Sequence, residues 1–520
     1  MNAKRGTGAH WALLTALLAA SCHHSDASNQ TANHRKPAEG ASKAPSPNAA
    51  AQSVDATTQS AVVAELQKDK KLDPARVQVS VKDGIVALSG SVDNVLSKER
   101  ATRIAEAVRH VRTVDNRLAV SPESRPDAEI ERDVGRALLY NAATARLPIA
   151  ASVHNAVVRL TGTVGSWQEQ KLAERIVDHV RGVRFTQNDL VTRRNTSRQD
   201  SAIAADIDTR LKWDVLVEHD PLTVAVKQSK VTLTGTVGSA SEKSRAMDDA
   251  WVDGVTSVDG TGIVVDSAHP PDANLARNAA KNDSEIAAAI KDAATYDPRL
   301  TPFNLAVRVR DGVATLLGTV DTLNAKLTAE SLARNTVGVK DVENQLAVVS
   351  KQPLQDRALE ARVKEALIFD PLSDAHEIAV SANGGTVTLA GKVGTFFEKA
   401  EVFDTVSAIA GVKNVNNQLE VRDQLVPYVY SEFVDPDLPY VSTWYVFAVK
   451  PSGSDEQIRS RIESEFSWNA FVHPESVHVQ VDHGKATLTG NVHSLREREA
   501  AAQCALEAGA VAIDNELKVS

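Results

Sequence analysis

The sequence predicts an α+β protein built as a tandem array of six small domains, and three observations carry that expectation. One phrase is written six times: "DGIVALSGSV", "NAVVRLTGTV", "QSKVTLTGTV", "DGVATLLGTV", "GGTVTLAGKV" and "HGKATLTGNV", with its glycine at Gly90, Gly162, Gly235, Gly318, Gly391 and Gly490. Within and before each phrase apolar residues alternate, and on both sides the apolar period lengthens to that of an amphipathic helix. A chain of 520 residues could form one large globule or several small ones, and the internal repeat selects the second.

Each repeat opens on a helix. Ile130/Val134/Leu138, Ile203/Ile207/Leu211, Leu359/Val363/Leu367 and Ile458/Ile462/Phe466 follow the spacing of one helical stripe. A strand follows, with Val79/Val81, Ala151/Val153, Val224/Val226, Val307/Val309, Val380/Ala382 and Val479/Val481 pointing into a core. A two-residue turn then forms a hairpin. Asp83-Gly84, Asp311-Gly312, Gly384-Gly385 and His483-Gly484 suit the positive φ this requires, whereas Asn155-Ala156 and Gln228-Ser229 suit it less well. The second strand carries Leu88, Leu160, Leu233, Leu316, Leu389 and Leu488. Segments such as "KERATRIAEAV" and "EQKLAERIVDHV" predict a second helix, closed by Gly-Val at Gly182-Val183, Gly338-Val339 and Gly411-Val412. A last short strand reads "NRLAV", "NDLVT", "NQLAV", "NQLEV" or "NELKV". The unit is helix, strand, strand, helix, strand.

On these residues the chain resembles the BON domain of bacterial envelope proteins, whose hallmark is a "V.V.DG.VTL.GTV" hairpin followed by a helix and "GV..V.N.L.V". Val307 to Val320, with Gly338-Val339, Val342 and Asn344-Gln345-Leu346, follows that pattern nearly position for position. The resemblance implies two helices on one face of a three-stranded mixed sheet, in a family that includes osmotically induced periplasmic proteins and an outer-membrane lipoprotein that binds anionic phospholipid. The expected domains are 55–122, 127–193, 200–266, 282–350, 354–422 and 454–520, with a linker at 267–281 and an aromatic-rich insertion at 423–453. Repeat three departs from the pattern: its second helix is one residue short, and "VDGTGIVV" replaces the usual ending.

Residues 1–22 read as an export signal. Lys4 and Arg5 precede the apolar run "WALLTALLAASC", too short to span a bilayer as a mature helix. Cys22 resembles a lipobox cysteine, which makes it the expected lipidation site; ordinary cleavage after a small residue is the alternative. With no aspartate after Cys22, the resemblance to sorted lipoproteins implies the outer membrane, facing the periplasm. Residues 23–54, rich in Ala, Ser, Asn, Pro and Lys, read as a disordered tether with a reach on the order of 30 Å. Cys504 stands in a helix slot taken by Ile104, Ile176 and Leu332 elsewhere, which makes it a core residue.

No catalytic residues, cofactor or metal site are expected. An acidic or amide residue recurs at Asp69, Asn141, Asp214, Asp297, Asp370 and Asn469, but no second acid–base group recurs beside it, so turn chemistry at a helix exit is the better reading. His23, His24 and His34 read as part of a solvated tail. The net charge of −9 argues against a nucleic-acid partner. It leaves open an anionic phospholipid surface, faced for example by Lys98, Arg100, Arg103, Arg109 and Arg112.

One column stands out in a chain that is only 4% aromatic. Lys68, Tyr140, Trp213, Tyr296, Phe369 and Trp468 occupy the same place before each glycine, on the flank of the first helix. These rings either cap the rim of their own cores or serve as lipid-binding points, Trp213 and Trp468 foremost. Trp444, in the insertion, belongs either to an extra β segment or to an interfacial membrane contact. The expected function is non-enzymatic: an exported envelope protein that binds phospholipid headgroups or envelope partners. The alternative is a scaffold whose modules self-associate or dock on a periplasmic assembly.

Overall fold

The recurring glycine is demanded by backbone geometry. In a computed structural model of the protein, Gly90, Gly162, Gly235, Gly391 and Gly490 have φ between +113° and +137°. A Cβ on Gly90 would lie 2.0 Å from the carbonyl oxygen of Arg76, and one on Gly490 would lie 2.1 Å from that of Ser476. No side chain fits there. The structure describes residues 47–69, 72–193, 198–267, 281–301, 303–350, 353–373, 375–422 and 453–520, and the chain from Pro47 to Ser520 forms one unit.

Repeat five shows the plan. The helix Asp356–Phe369 is followed by strands Ile378–Asn383 and Thr386–Val393, the helix Phe396–Ser407 and the strand Asn414–Val421. The first two strands pair antiparallel, and the crossover helix brings the third parallel to the second, which lies central. All six repeats share this order. One sheet face packs on the two helices, and there the leucine column from Leu88 to Leu488 is fully buried. Each repeat has its own apolar cluster, and Cys504 lies in that of repeat six.

Short polar side chains hold the local geometry. Asn94, Ser166, Ser239, Thr322, Thr395 and Ser494 cap the second helices, each accepting a backbone N–H three residues on. Asn116, Asn188, Asn344, Asn417 and Asn515 each donate to a carbonyl in the second helix and accept the N–H two residues on. This fastens the third strand to that helix. Repeat three, with Gly260 at that place, still forms its closing strand, Ser257–Val265. It pairs parallel to the second strand through a bulge between Asp259 and Gly262 that absorbs the altered ending.

Candidate functional site

Where the first helix ends, its last carbonyls lack intrahelical donors and need partners. Those partners come from another repeat. Repeat one pairs with six, two with five and three with four, through the antiparallel bridges Val108↔Asn469, Asn141↔Ile409 and Asp214↔Thr336. The Arg109 N–H donates to the Trp468 carbonyl at 2.8 Å, and the Ala470 N–H returns a bond to Ala107 at 3.0 Å. Val215 and Val337 exchange equivalent bonds with Asn335 and Trp213 at 2.8 and 2.9 Å. The contact between repeats two and five is built from both sides: Ala410 donates to the Tyr140 carbonyl and Arg181 to the Phe369 carbonyl. The pair of repeats two and five therefore approximates a twofold, self-complementary contact.

Two arginines strengthen these contacts. The Arg109 guanidinium donates to the carbonyls of Ser467, Asn469 and Val472. Arg181, at the matching place in repeat two, donates to those of Asp370 and Ser373. A cation at a helix C-terminus meets both its free acceptors and its negative dipole end. This corrects the expectation that Arg100 and Arg109, in the basic cluster of repeat one, face headgroups. Arg109 is engaged in the contact, Arg100 is buried in an ion pair with Asp69, and the half-buried Arg103 lines a cleft shared with other repeats.

The aromatic column lies in the same contacts. Trp468 packs against the core of repeat one, edge-on to His110, and Trp213 packs against the core of repeat four. Tyr296 packs on repeat three, where its hydroxyl bonds Asp206 and its ring lies under Arg210. The Tyr140 hydroxyl bonds Glu365 of repeat five, and Arg362 covers its ring. Phe369 is buried. Lys68, the one non-aromatic member, bonds Glu65 of its own repeat and Glu465 and Glu507 of repeat six. Burial opposes its charge, but the three carboxylates hold its pKa well above the ordinary lysine value.

The second helices make a different set of contacts at their first residues. Val95 packs on the core of repeat two, Trp167 stacks on Trp251 of repeat three at 4.9 Å, and Ala240 enters the core of repeat one. Repeats one, two and three thus close into a triad. In the other half Leu495 of repeat six enters the core of repeat four, Arg334 pairs with Glu499 at 2.6 Å, and Asn324 of repeat four donates to Asp404 of repeat five at 3.1 Å. Two groups of three repeats therefore face each other through the three paired contacts.

Where repeats one to four meet lies a cavity of about 350 Å³. Its walls mix Arg103, Arg210 and Arg245 with Asp178, Asp248 and Asp249, so they carry no net preference for one sign of charge. Burial pushes the Asp249 carboxyl up to about 7 and raises Asp178 as well. A more apolar cavity of about 130 Å³ lies between repeats two and five beside Tyr140 and Phe369. The recurring acid or amide at the first-helix exit acts locally: Asn141, Asp214, Asp297, Asp370 and Asn469 each accept the N–H two residues on. Two groups have the make-up of metal ligands, Glu65/Glu465/Glu507 around Lys68 and His473/His493/Glu497 in repeat six. Cys22 and Trp444 lie outside the described residues.

A further column was missed by sequence reasoning. Asp127, Asp200, Asp283, Asp356 and Asp455 open their first helices, Asp55 lies within the longer helix Pro47–Lys68, and the carboxylates of all six accept N–H groups of the hairpin turn. This clamp supports positive φ even at Asn155-Ala156 and Gln228-Ser229. Its signal was present in the sequence, since each aspartate stands at one fixed distance before its glycine.

The chain is 34% identical over 149 residues to Osmotically-inducible protein Y of Escherichia coli, an alignment spanning 28% of this chain and 71% of that protein. It is 34% identical over 109 residues to Outer membrane lipoprotein DolP of Haemophilus influenzae, spanning 20% and 56%. A solved structural protein of the Type III secretion system of Chlamydia trachomatis aligns with 43% of this chain and 98% of its own, at 15% identity and a TM-score of 0.12. The BON domain family model matches residues 54–122, 126–194, 199–266, 282–350, 355–423 and 454–520. With the same hairpin, crossover helix and closing strand built six times over, the chain belongs to the BON-domain family.

Proposed function

We propose that the protein is a non-enzymatic envelope protein, anchored through acylated Cys22 at the periplasmic face of the outer membrane, that contacts phospholipid headgroups as one preassembled body of six modules. The similarity to an outer membrane lipoprotein supports the location, and the reading of residues 1–22 supports the anchor. No helix among the described residues is long and apolar enough to cross a membrane. The observation that carries the contact reading is where apolar side chains remain exposed. The column rings Tyr140, Trp213, Tyr296, Phe369 and Trp468 are engaged between repeats, whereas Phe185 and Val191 stand 59% and 61% exposed on the outward face of the sheet of repeat two. They stand at the two ends of one strand face, roughly 20 Å apart, and the exposed Phe185 ring is the one that suits insertion among headgroups.

A second reading, a scaffold that docks on an envelope assembly, is favoured by the modules' capacity to pair with each other. Flotation of the Cys22→Ala protein with phosphatidylglycerol-containing and with pure phosphatidylcholine vesicles separates the two. Binding to the anionic vesicles that Phe185→Glu weakens supports lipid contact. Absence of flotation with both vesicles, together with higher oligomers on sizing, supports the scaffold. Metabolic labelling with a fatty-acid analogue tests Cys22, and an unlabelled wild type removes the anchor.

A further inference from the structure

We propose that repeat six carries a divalent-metal site, best suited to Zn²⁺, formed by His473, His493 and Glu497. The glutamate is the third residue of the second helix, and repeats two, three and five use Glu169, Glu242 and Glu398 at the same place. There each carboxylate accepts the N–H of a glycine, namely Gly165, Gly238 and Gly394. A glutamate with this capping task is thus part of the common architecture. Repeat six differs by placing histidines on both sides of it. Glu497 Oε1 accepts from the His473 N–H and Nδ1 at 3.0 and 2.7 Å, and Oε2 accepts from the His493 N–H and Nδ1, each at 2.8 Å. Neither imidazole is needed for the cap: glycine stands at the His493 place in three other repeats, and in repeat three the N–H of Glu218 serves at the His473 place.

The arrangement has the features of a ligand set. The three donor groups lie within 4.8 Å of one another, and the rings meet edge to face with centroids 4.8 Å apart. Glu497 and His493 are buried, whereas His473 is 20% exposed along its side chain and leaves an approach from solvent. The backbone N–H groups of His473 and His493 hold Glu497 in place. A buried carboxylate and two imidazoles aimed at it by Nδ1 match the nitrogen and oxygen preference of Zn²⁺, with water completing a tetrahedron. Binding exchanges each Nδ1–H···O bond for ion contacts: both rings move to the Nε2–H tautomer, no proton is released by a neutral imidazole, and the two positive charges meet one carboxylate. The helix N-terminus opposes the added positive charge, so the expected affinity is micromolar.

The test uses the full chain carrying His23→Ala, His24→Ala and His34→Ala, titrated with Co²⁺ and then displaced by Zn²⁺. One equivalent of Co²⁺ with a tetrahedral ligand-field spectrum is expected. His493→Gly restores the residue found in repeats two, three and five, so the fold is retained, and it should weaken binding at least tenfold, as should His473→Ala. A chain that binds no ion at a hundredfold excess overturns the proposal. So does His493→Gly binding with unchanged affinity.

Discussion

Arg109→Ala opens the contact between repeats one and six without touching either core. The guanidinium donates three bonds to carbonyls at the first-helix exit of repeat six, at 3.1, 3.1 and 2.9 Å, in a half-buried setting. At about 1 kcal/mol net for each, partly offset by water entering the gap, the loss comes to about 2–3 kcal/mol. That raises the open fraction of the contact roughly 30- to 150-fold. Native-state hydrogen exchange reads this directly, because the Arg109 and Ala470 amides bond across the contact to Trp468 and Ala107. Both amides should exchange faster by that factor while those of the strand Lys485–Val492 keep their protection. Unchanged exchange at Arg109 and Ala470 refutes the idea that this side chain acts as a helix cap supplied by another repeat.

Two further outcomes follow from geometry and charge. Gly490→Ala, at φ +133° with a carbonyl 2.1 Å from the new Cβ, should cost about 3 kcal/mol or more in urea unfolding, whereas Gly318→Ala, whose nearest carbonyl is 3.2 Å away, should cost about 1–2 kcal/mol. Equal losses contradict the steric argument. Glu106, half-buried against repeat three where Ser244 donates to it, has its pKa pushed up to about 7, chiefly by desolvation. Between the ordinary 4.5 and about 7 the folded chain holds a proton that the unfolded chain has released, so stability falls as pH rises through that window. Glu106→Gln removes the loss: its urea midpoint should match wild type at about pH 4, below the window, and exceed it at about pH 8, above it, and parallel pH profiles would count against it.

Within a repeat the fold was legible because its determinants are local in sequence. The alternation before Gly318, the stripe Ile458/Ile462/Phe466 and the Gly-Val pairs at Gly182, Gly338 and Gly411 each dictate one element, and six copies make the register plain. The contacts between repeats were not legible in the same way. Trp468 and Val108 lie far apart in the chain, and a ring on a helix flank looks the same whether it covers its own core or another. Charge misled for a similar reason. Arg100 and Arg109 read as a solvated basic face, yet one is buried against Asp69 and the other caps a helix in repeat six. The aspartates that clamp the hairpins escaped notice because Asp at a helix start already has a sufficient local explanation.

Disulfide trapping tests the pairing of repeats most directly. In a chain with Cys22→Ala and Cys504→Ala, cysteine pairs are placed at 108 and 469, at 141 and 409, and at 214 and 336, the three bridged positions. Antiparallel bridge partners stand about 4.5–5.5 Å apart at Cα, within the range a disulfide spans. Mild oxidation should give an intramolecular bond in all three variants and none in a control joining 108 to 336. Crosslinks that form only between chains, or equally in the control, would contradict the paired arrangement of one with six, two with five and three with four.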